Sequence, residues 1–312
     1  MLLQEVEDET AGDPMRDKKW VRNSLRKLSE RLGQRGFHMS RGTVGRLLRT
    51  LKFGLYANRK SISCRQHPDR DRQFHYINKI KRCFMNAGYP VISVDTKKKE
   101  LVGNFSNGGR DWSKQAQKVN DHDFLSEAKG KAVPYGIYDL ANNKGYIYVG
   151  SSADTGEFAV DAIKHWWQID KESFTREDKL LILCDSGGSN GCRPRLWKQQ
   201  IQEKLADALG IEVMVCHYPS GASKWNPVEH RLFSYISMNW AAHPLRTFED
   251  VLGFIRNTTT STGLRVKATL MEKIYKKGRK VADDVFASLN IIRRKICPQW
   301  NYCIKPQTAS IM

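Results

Sequence analysis

Apolar runs and amphipathic stretches alternate along residues 89–240. Three runs with strand character come first, at 89–100, 135–140 and 145–152, and the sequence Asn-Asn-Lys-Gly between the last two is typical of a hairpin turn. The elements predicted after them are helix 155–168, strand 179–185, helix 193–210, strand 211–219 and helix 226–240. This order predicts a mixed α/β sheet with helices on its faces.

The pattern is purely helical between residues 24 and 55. Leu25, Leu28 and Leu32 repeat at helical spacing, and glycines interrupt the pattern before Ser40, a plausible N-cap of a second helix. The apolar positions predicted for that second helix are Val44, Leu47, Leu48 and Leu51. Two short helices joined by a glycine-containing turn predict a helix-turn-helix DNA-binding segment. Any small helical hairpin has the same pattern, so a purely structural pair is the alternative.

Charge favours the DNA-binding interpretation. The chain of 312 residues carries a formal net charge of +19. Residues 1–15 hold five acids and no bases, whereas residues 16–82 hold 20 bases against 4 acids. A basic block ahead of a milder body indicates a nucleic-acid-binding surface, although a basic face that only meets solvent would have the same composition.

Composition excludes several other classes. No apolar run approaches the ~18 residues that a membrane-spanning helix needs. The acidic N-terminus lacks the basic and then apolar pattern of a signal peptide, so we predict a soluble intracellular protein. The seven cysteines include no C-x-x-C pair, which favours reduced packing residues over a zinc site.

Acidic residues follow two of the predicted strands. Asp95 ends the first apolar run, Asp185 ends the run that begins at residue 179, and Glu229 lies near the start of the last helix. Ligands of open α/β sheets collect at strand ends, so these three side chains are predicted to meet at one rim. Mg²⁺ and Mn²⁺ prefer carboxylate oxygens, and the arrangement therefore indicates metal-dependent phosphoryl chemistry.

A plainer interpretation exists for each acid. An aspartate at a strand end is usually a turn or cap residue. In the sequence "KWNPVEHRLF", Asn226 suits an N-cap, Pro227 suits the first helical position, and Glu229 is placed to bond back to the cap. The residue types alone do not decide between capping and metal binding.

Three blocks of sequence carry a resemblance to a known family. "VISVDTKKKELVGNF", "CDSGGSNG" followed by "RLWK", and "SKWNPVEHRLFS" resemble blocks of the Rhodopirellula-type DDE transposases, a bacterial insertion-sequence group distantly similar to mariner-like enzymes. The resemblance implies a ribonuclease H-like catalytic domain that binds two Mg²⁺ or Mn²⁺ ions through Asp95, Asp185 and Glu229. It also implies hydrolysis of phosphodiesters at transposon ends, followed by attack of the freed 3′-hydroxyl on target DNA.

Further roles follow from the resemblance. The predicted partner is double-stranded DNA, bound by a homodimer or larger assembly in the cytoplasm, at the nucleoid. The predicted DNA-binding residues are Lys97, Lys98, Arg41, Arg46, Arg49, Asn190 and Arg231. Trp225 is expected to pack against the sheet rather than to stack on a base. A truncated inactive copy that only binds DNA, and a nuclease without joining activity, remain the alternatives.

The predicted domain layout follows the same blocks. It comprises an acidic linker or remnant at 1–15, the helix-turn-helix segment at 16–58, a basic connector at 59–88, the catalytic domain at 89–262 and a basic extension at 263–312. Family members carry an additional DNA-binding segment upstream, so we expect this chain to be an internally started or truncated copy.

Overall fold

The structure is a computed structural model that describes residues 10–12, 19–21, 24–55, 67–222 and 225–307. The chain divides into two compact units, residues 1–62 and 63–312. The described elements of the first unit are strands β1 (Thr10–Gly12) and β2 (Lys19–Val21) and helices α1 (Leu25–Gln34) and α2 (Arg41–Thr50).

The second unit is built around one large sheet. Its helices are α3 (Arg70–Asn86), α4 (Gly156–Asp170), α5 (Arg195–Ile201, continued as a π-helix over Gln202–Asp207), α6 (a π-helix over Glu229–Phe233, continued as an α-helix over Ser234–Asn239), α7 (Phe248–Arg256) and α8 (Asp283–Ala287). Its strands are β3 (Val91–Thr96), β4 (Glu100–Val102), β5 (Gly130–Asp139), β6 (Lys144–Gly150), β7 (Lys179–Asp185), β8 (Glu212–Tyr218), β9 (Arg265–Met271), β10 (Ile291–Arg293) and β11 (Asn301–Ile304).

Helices α1 and α2 of the first unit confirm the predicted helical pair. Ser24 and Ser40 cap them, because each hydroxyl accepts a hydrogen bond from a backbone N–H three residues on, at 3.2 Å. Leu28, Leu32 and Val44 are buried together and form the small apolar centre of the pair. The amphipathic spacing of the leucines therefore serves the packing of one helix on the other.

The sheet of the second unit confirms the predicted ribonuclease H-like fold. Its strand order is β10-β11-β8-β7-β3-β5-β6-β9, with β4 paired to β5. Strands β3, β7 and β8 run parallel to one another, while β5 is antiparallel to both β3 and β6. The hairpin predicted between the second and third strands is the β5–β6 hairpin.

Apolar layers cover both faces of the sheet. The central strand β7 is buried over Leu180–Cys184, as expected for a parallel strand with helices on both sides. One layer contains Phe158 and Trp166 of α4 and Trp197 of α5. On other parts of the sheet, α3 packs through Ile77, and α6 and α7 pack on β5, β6 and β9.

Two segments differ from their sequence-based description. Residues 59–88, predicted as a basic connector, contain helix α3, whose Gln73 amide donates hydrogen bonds to Asn301 Oδ1 at 2.8 Å and to the carbonyl of His217 at 2.9 Å. Residues 263–312, predicted as an extension, contribute β9, β10 and β11 to the central sheet. Helix α3 was not predicted from the sequence because its apolar residues are sparse. Strand β9 was not predicted because the segment around it is highly charged. Within the described ranges, no helix is long and apolar enough to cross a membrane.

Candidate active site

The topology brings the three predicted acids to one end of the sheet. β3 and β7 are parallel neighbours, and Val94 lies opposite Cys184 in their register, so Asp95 and Asp185 follow at adjacent strand ends. Glu229 begins the π-helical first part of α6. The topology therefore brings two strand-end carboxylates and one helix carboxylate to the same end of the sheet.

Helix α6 approaches the sheet closely because the strands below it carry glycines. A Cβ atom at Gly136, the residue opposite Asp95 in β5, would lie 2.2 Å from the ring of Phe233. Leu232 lies equally tightly over Gly145 of β6, where a Cβ atom would be 2.4 Å away. Side chains at these two positions would lift α6, and with it Glu229, away from the strand ends.

Hydrogen bonds define how the acids face one another. The carboxyl groups of Asp95 and Glu229 lie close enough to interact, and each affects the pKa of the other. Asp95 Oδ1 also accepts a bond from the N–H of Thr96 at 2.8 Å, and Asp185 Oδ1 accepts one from Asn226 Nδ2 at 3.1 Å. Glu229 thus points at Asp95 and does not act as the cap of its own helix.

The acids are electrostatically unfavourable to one another. Burial and then the nearby Asp185 raise the pKa of Asp95 to about 8. Burial raises the pKa of Asp185 to about 6, although the hydrogen bond from Asn226 opposes the shift. Burial also raises the pKa of Glu229, although the neighbouring Asp95, His230 and Lys97 oppose the shift. Partly buried carboxylates with raised pKa values are stabilised as anions by an added cation.

These residues fit divalent cations in their chemistry. All three supply hard carboxylate oxygens, the ligands that Mg²⁺ and Mn²⁺ prefer. In the described parts of the chain, no three His, Cys, Asp or Glu side chains are already arranged to hold one ion. Asp185 bonds to Asn226, and the carboxyl of Asp95 lies close to that of Glu229, so a bound cation would compete with these contacts for the same oxygens.

An open pocket of about 400 Å³ lies directly beside Asp95. Its walls are the segment 97–99 after β3, the loop 188–190 after β7, and Asp154 before α4. Ser189 Oγ and Asn190 Oδ1 are buried there, and neither has a hydrogen-bond partner among the residues that the structure describes. The pocket therefore combines lysines with unsatisfied polar groups next to the acids.

The loop after β7 is fixed in a tight conformation. Gly188 has a φ of +78°, and a Cβ atom at Gly191 would lie 2.9 Å from the carbonyl oxygen of Ser186. The buried ammonium of Lys198 donates a hydrogen bond to the carbonyl of Cys192 at 2.5 Å. Glycines and one buried lysine thus hold the backbone of this loop against the pocket.

The structure separates the predicted DNA-binding lysines into two kinds. Lys97 is only 7% exposed, and its ammonium lies 3.1 Å from Glu100 and 4.3 Å from the ring centre of Trp240. It is not accessible to a DNA phosphate, which corrects its predicted role. Lys98 is 85% exposed at the mouth of the pocket. The sequence of a lysine run at a strand end does not predict which side chain is buried, because burial depends on tertiary contacts.

The other predicted contacts are placed as follows. Asn190 is buried in the pocket wall, 3.5 Å from the carbonyl of Val94 through its Nδ2. Arg231 is exposed and donates to the hydroxyl of Tyr138 at 3.4 Å. The three arginines of α2, Arg41, Arg46 and Arg49, are exposed within the first unit.

Trp225 contacts helix α3, whereas the expectation was packing against the sheet. Its ring centre lies 5.7 Å from that of Phe74, and the guanidinium of Arg70 lies 4.9 Å from its ring centre. It remains 44% exposed.

Two residues near the acids were not singled out from the sequence. Ser93 faces the same side of β3 as Asp95, two positions earlier, and bonds to Asn226. Asp154 accepts a hydrogen bond from Thr96 Oγ1 at 3.2 Å and lies 3.5 Å from the Lys99 ammonium. Side chains two positions apart lie on the same face of a strand, so the sequence could have identified Ser93 from Asp95. Asp154 has no comparable signal in the sequence.

A ribonuclease H-like sheet with three converging acids and a polar pocket defines an enzyme of the phosphoryl-transfer class. The family model of the Rhodopirellula transposase DDE domain matches residues 1–306. The chain belongs to this family and is a DDE transposase, a polynucleotidyl transferase and endonuclease, as predicted.

Solved structures of a mariner transposase share part of the architecture. The Mos1 transposase paired-end complex with left transposon end is 14% identical with a TM-score of 0.46, and the Mos1 strand transfer complex is 15% identical with a TM-score of 0.45. The Mos1 mariner paired-end complex with Mn is 12% identical, also with a TM-score of 0.45. Each alignment covers 81% of this chain and 68% of the Mos1 chain. A search of curated proteins finds no match.

Proposed function

We propose that Asp95, Asp185 and Glu229 bind two Mg²⁺ or Mn²⁺ ions and catalyse both cleavage at transposon ends and joining of the freed 3′-hydroxyl to target DNA. The meeting of these three carboxylates at the ends of β3 and β7 and the start of α6, in a DDE transposase, is the observation that carries this proposal. Their raised pKa values support it, because the uncompensated site favours cations.

The chemistry follows from what the side chains can hold. Bound divalent cations would supply Lewis-acid stabilisation to an in-line phosphoryl transfer. Asp95, whose pKa is raised by burial and by Asp185, would be an anion when it acts as a ligand. Asp185, with Oδ1 held by Asn226, keeps Oδ2 for a ligand role. Hydrolysis and joining differ only in the attacking oxygen, so one arrangement of carboxylates serves both steps.

DNA binding is assigned to the exposed cations. We assign phosphate contacts beside the acids to Lys98 and Arg231, whose side chains are exposed, and assign none to Asn190, which is buried. Arg41, Arg46 and Arg49 on α2 would contact duplex DNA through the segment at 16–58. Binding of two transposon ends by a homodimer or larger assembly is part of the same proposal. The catalytic domain at 89–262 is completed by strands β9–β11 of residues 263–312.

The catalytic proposal is tested with DNA that carries the element's own ends. Purified protein with Mn²⁺ or Mg²⁺ should nick this DNA and join pre-cleaved ends to a target plasmid, whereas Asp95→Asn should do neither. End binding without nicking by the wild type would indicate an inactive DNA-binding copy. Nicking without joining would indicate a nuclease.

The DNA-binding segment is tested by salt dependence. Each neutralised phosphate releases counterions, so replacement of Arg41, Arg46 and Arg49 by alanine should reduce the slope of log affinity against log salt by about 0.9 for each phosphate that is no longer neutralised. Affinity measured from about 50 to 200 mM salt checks this. The control is Arg26→Ala on α1, whose guanidinium lies 3.2 Å from Glu30. Equal slopes for all three proteins would remove α2 from the interface.

A further inference from the structure

We propose that Asn226 is a positioning residue that fixes the positions of the three carboxylates relative to one another, and that Ser93 is its partner. The inference rests on the proposed function. Asn226 is fully buried, and its side chain contacts the strand of Asp95 and the strand of Asp185 while its backbone leads directly into the helix of Glu229. It links all three elements that carry the acids.

The amide of Asn226 has only one orientation that satisfies its neighbours. Nδ2 faces two acceptors, Asp185 Oδ1 at 3.1 Å and the carbonyl of Val94 at 3.4 Å. Oδ1 faces the hydroxyl of Ser93, which donates to it. A flipped amide would set an oxygen against a carboxylate and a carbonyl, so the donor side is fixed towards Asp185.

Ser93 performs the capping that the sequence assigned to Asn226. The N–H of Val228 in the first turn of α6 donates to Ser93 Oγ at 3.0 Å, and the same hydroxyl donates to Asn226 Oδ1. The start of α6 is therefore attached to β3 two residues before Asp95. A serine on a strand and an asparagine before a helix together fix the distance between Asp95 and Glu229.

The arrangement has a direct consequence for Asp185. With Oδ1 held by Asn226, the rotation of its carboxylate is restricted, and Oδ2 keeps a defined direction. A reacting geometry that is displaced by about 1 Å can cost roughly 100-fold in rate. Loss of the amide should therefore lower the rate of the chemical step while DNA binding is preserved.

Two substitutions test the amide in the full-length protein. Asn226→Ala removes all three hydrogen bonds, and Asn226→Asp places an oxygen against Asp185 while keeping the shape. For both variants we expect kcat for Mn²⁺-dependent nicking to fall about 100-fold, with KM for DNA within about twofold of wild type. Calorimetric Mn²⁺ titration without DNA should show affinity at least about tenfold weaker, as for loss of an outer-shell partner of a metal ligand.

The matched control is Asn301→Ala. Asn301 is also fully buried, and its amide donates to Gln73 Oε1 at 2.6 Å and to the carbonyl of Ile296 at 2.9 Å, neither of which is on an element that carries an acid. Asn301→Ala should lower thermal stability as much as Asn226→Ala, but leave kcat per folded molecule and Mn²⁺ affinity near wild type.

Ser93→Ala keeps the test decisive if the Asn226 variants do not fold. It removes one hydroxyl and should lower kcat by about tenfold, or roughly 1.4 kcal/mol in barrier. The loss of rate in the double variant Ser93→Ala with Asn226→Ala should be smaller than the two single losses combined, because the bond between Ser93 and Asn226 is common to both.

The outcomes separate the two proposals. A wild type that neither binds Mn²⁺ nor nicks DNA would overturn the proposed function and this inference with it. A wild type that nicks, with Asn226→Ala and Ser93→Ala matching Asn301→Ala in kcat and Mn²⁺ affinity, would overturn the inference alone.

Discussion

Two groups of carboxylates in the second unit have opposite electrostatic surroundings. The site acids Asp95, Asp185 and Glu229 are partly buried at the strand ends, and their pKa values are raised. Glu157 and Asp161 of α4 are also partly buried, with side chains 19% and 15% exposed, yet their pKa values are lowered. Burial alone therefore does not explain the difference.

The cations supplied by the chain account for the contrast. The Lys273 ammonium lies 2.8 Å from Glu157 and 2.9 Å from Asp161, Lys204 contacts both, and Arg279 lies 3.3 Å from Glu157. Burial would raise the pKa of both carboxyls, but these ion pairs and the hydrogen bonds that accompany them outweigh it. These two acids and three bases, here called the α4 group, form a structural network that joins the segment after β9 to helix α4. Its members are Glu157, Asp161, Lys204, Lys273 and Arg279.

Within the described ranges, the site acids have no comparable ion pairs with lysine or arginine. Lys97 is oriented mainly towards Glu100, and its effect on Glu229 is smaller than that of burial. A folded chain that leaves three acids together without matching cations stores unfavourable energy that an external cation removes. The direction of the pKa shift therefore distinguishes the carboxylates that stabilise the fold from those that an external cation would stabilise.

The largest expected effect is on catalysis. Asp185→Asn and Glu229→Gln should each reduce metal-dependent nicking by at least about 1,000-fold, because a carboxylate ligand is lost at the reacting centre. The metal-free thermal midpoint should not fall, since one repelling charge is removed. Nicking rates test the expected loss of catalysis, and thermal unfolding in chelator tests the expected stability of the metal-free protein. A large loss of stability would show that these acids serve the fold.

Metal should stabilise the protein through the site acids only. Mn²⁺ at about 100 times its dissociation constant adds roughly 2.7 kcal/mol to the free energy of unfolding. The wild type and Asp161→Asn should both gain this, whereas Asp95→Asn should gain little. Thermal unfolding with Mn²⁺ or chelator measures the gain, and an equal gain in Asp95→Asn would place the ion elsewhere.

Neutralising the α4 group should affect stability alone. Asp161→Asn leaves Lys204 and Lys273 with fewer partners and should lower the free energy of unfolding by about 2 kcal/mol, the scale of hydrogen bonds to charged groups. Glu177→Gln, at an exposed pair 3.8 Å from Lys171, should change it by less than about 0.5 kcal/mol. Urea unfolding measures both, and unchanged nicking by folded Asp161→Asn completes the contrast.

The smallest expected effect is the pH dependence of stability in chelator. Because the pKa of Asp161 is lowered below 3.8 in the folded state, its contribution is present above that pH and is lost as the pH falls further. The pKa of Asp95 is raised to about 8, so its contribution is greatest at low pH and is lost as the pH rises towards 8.

Urea unfolding between pH 3 and 9 should therefore give opposite trends. The stability of wild type relative to Asp161→Asn should rise with pH at the acidic end of this range. Relative to Asp95→Asn, it should fall across the neutral range. The same trend for both variants would show that the two groups share one electrostatic environment.

Much of the architecture was predictable from the chain alone. The β-branched runs of β3 and β7, the leucine spacing of α1 and the serine caps are local signals that act within a few residues. They predicted the order of the main elements along the chain from β3 to α6 and placed two acids at strand ends. Helix α3 was missed because its buried residues, Gln73 and Ile77, are few among many charges.

The sequence by itself determined the residue types and the positions of the three acids in their elements. Asp95 and Asp185 stand at strand ends, and Glu229 stands near the start of a helix. Only the tertiary structure decided that Glu229 lies close to Asp95, that Lys97 folds inward, and that Ser93 takes over capping from Asn226. These outcomes depend on contacts between residues more than a hundred positions apart, or on the choice among neighbouring lysines. Local propensity does not contain that information, because the partners of a side chain are set by how the sheet and helices pack.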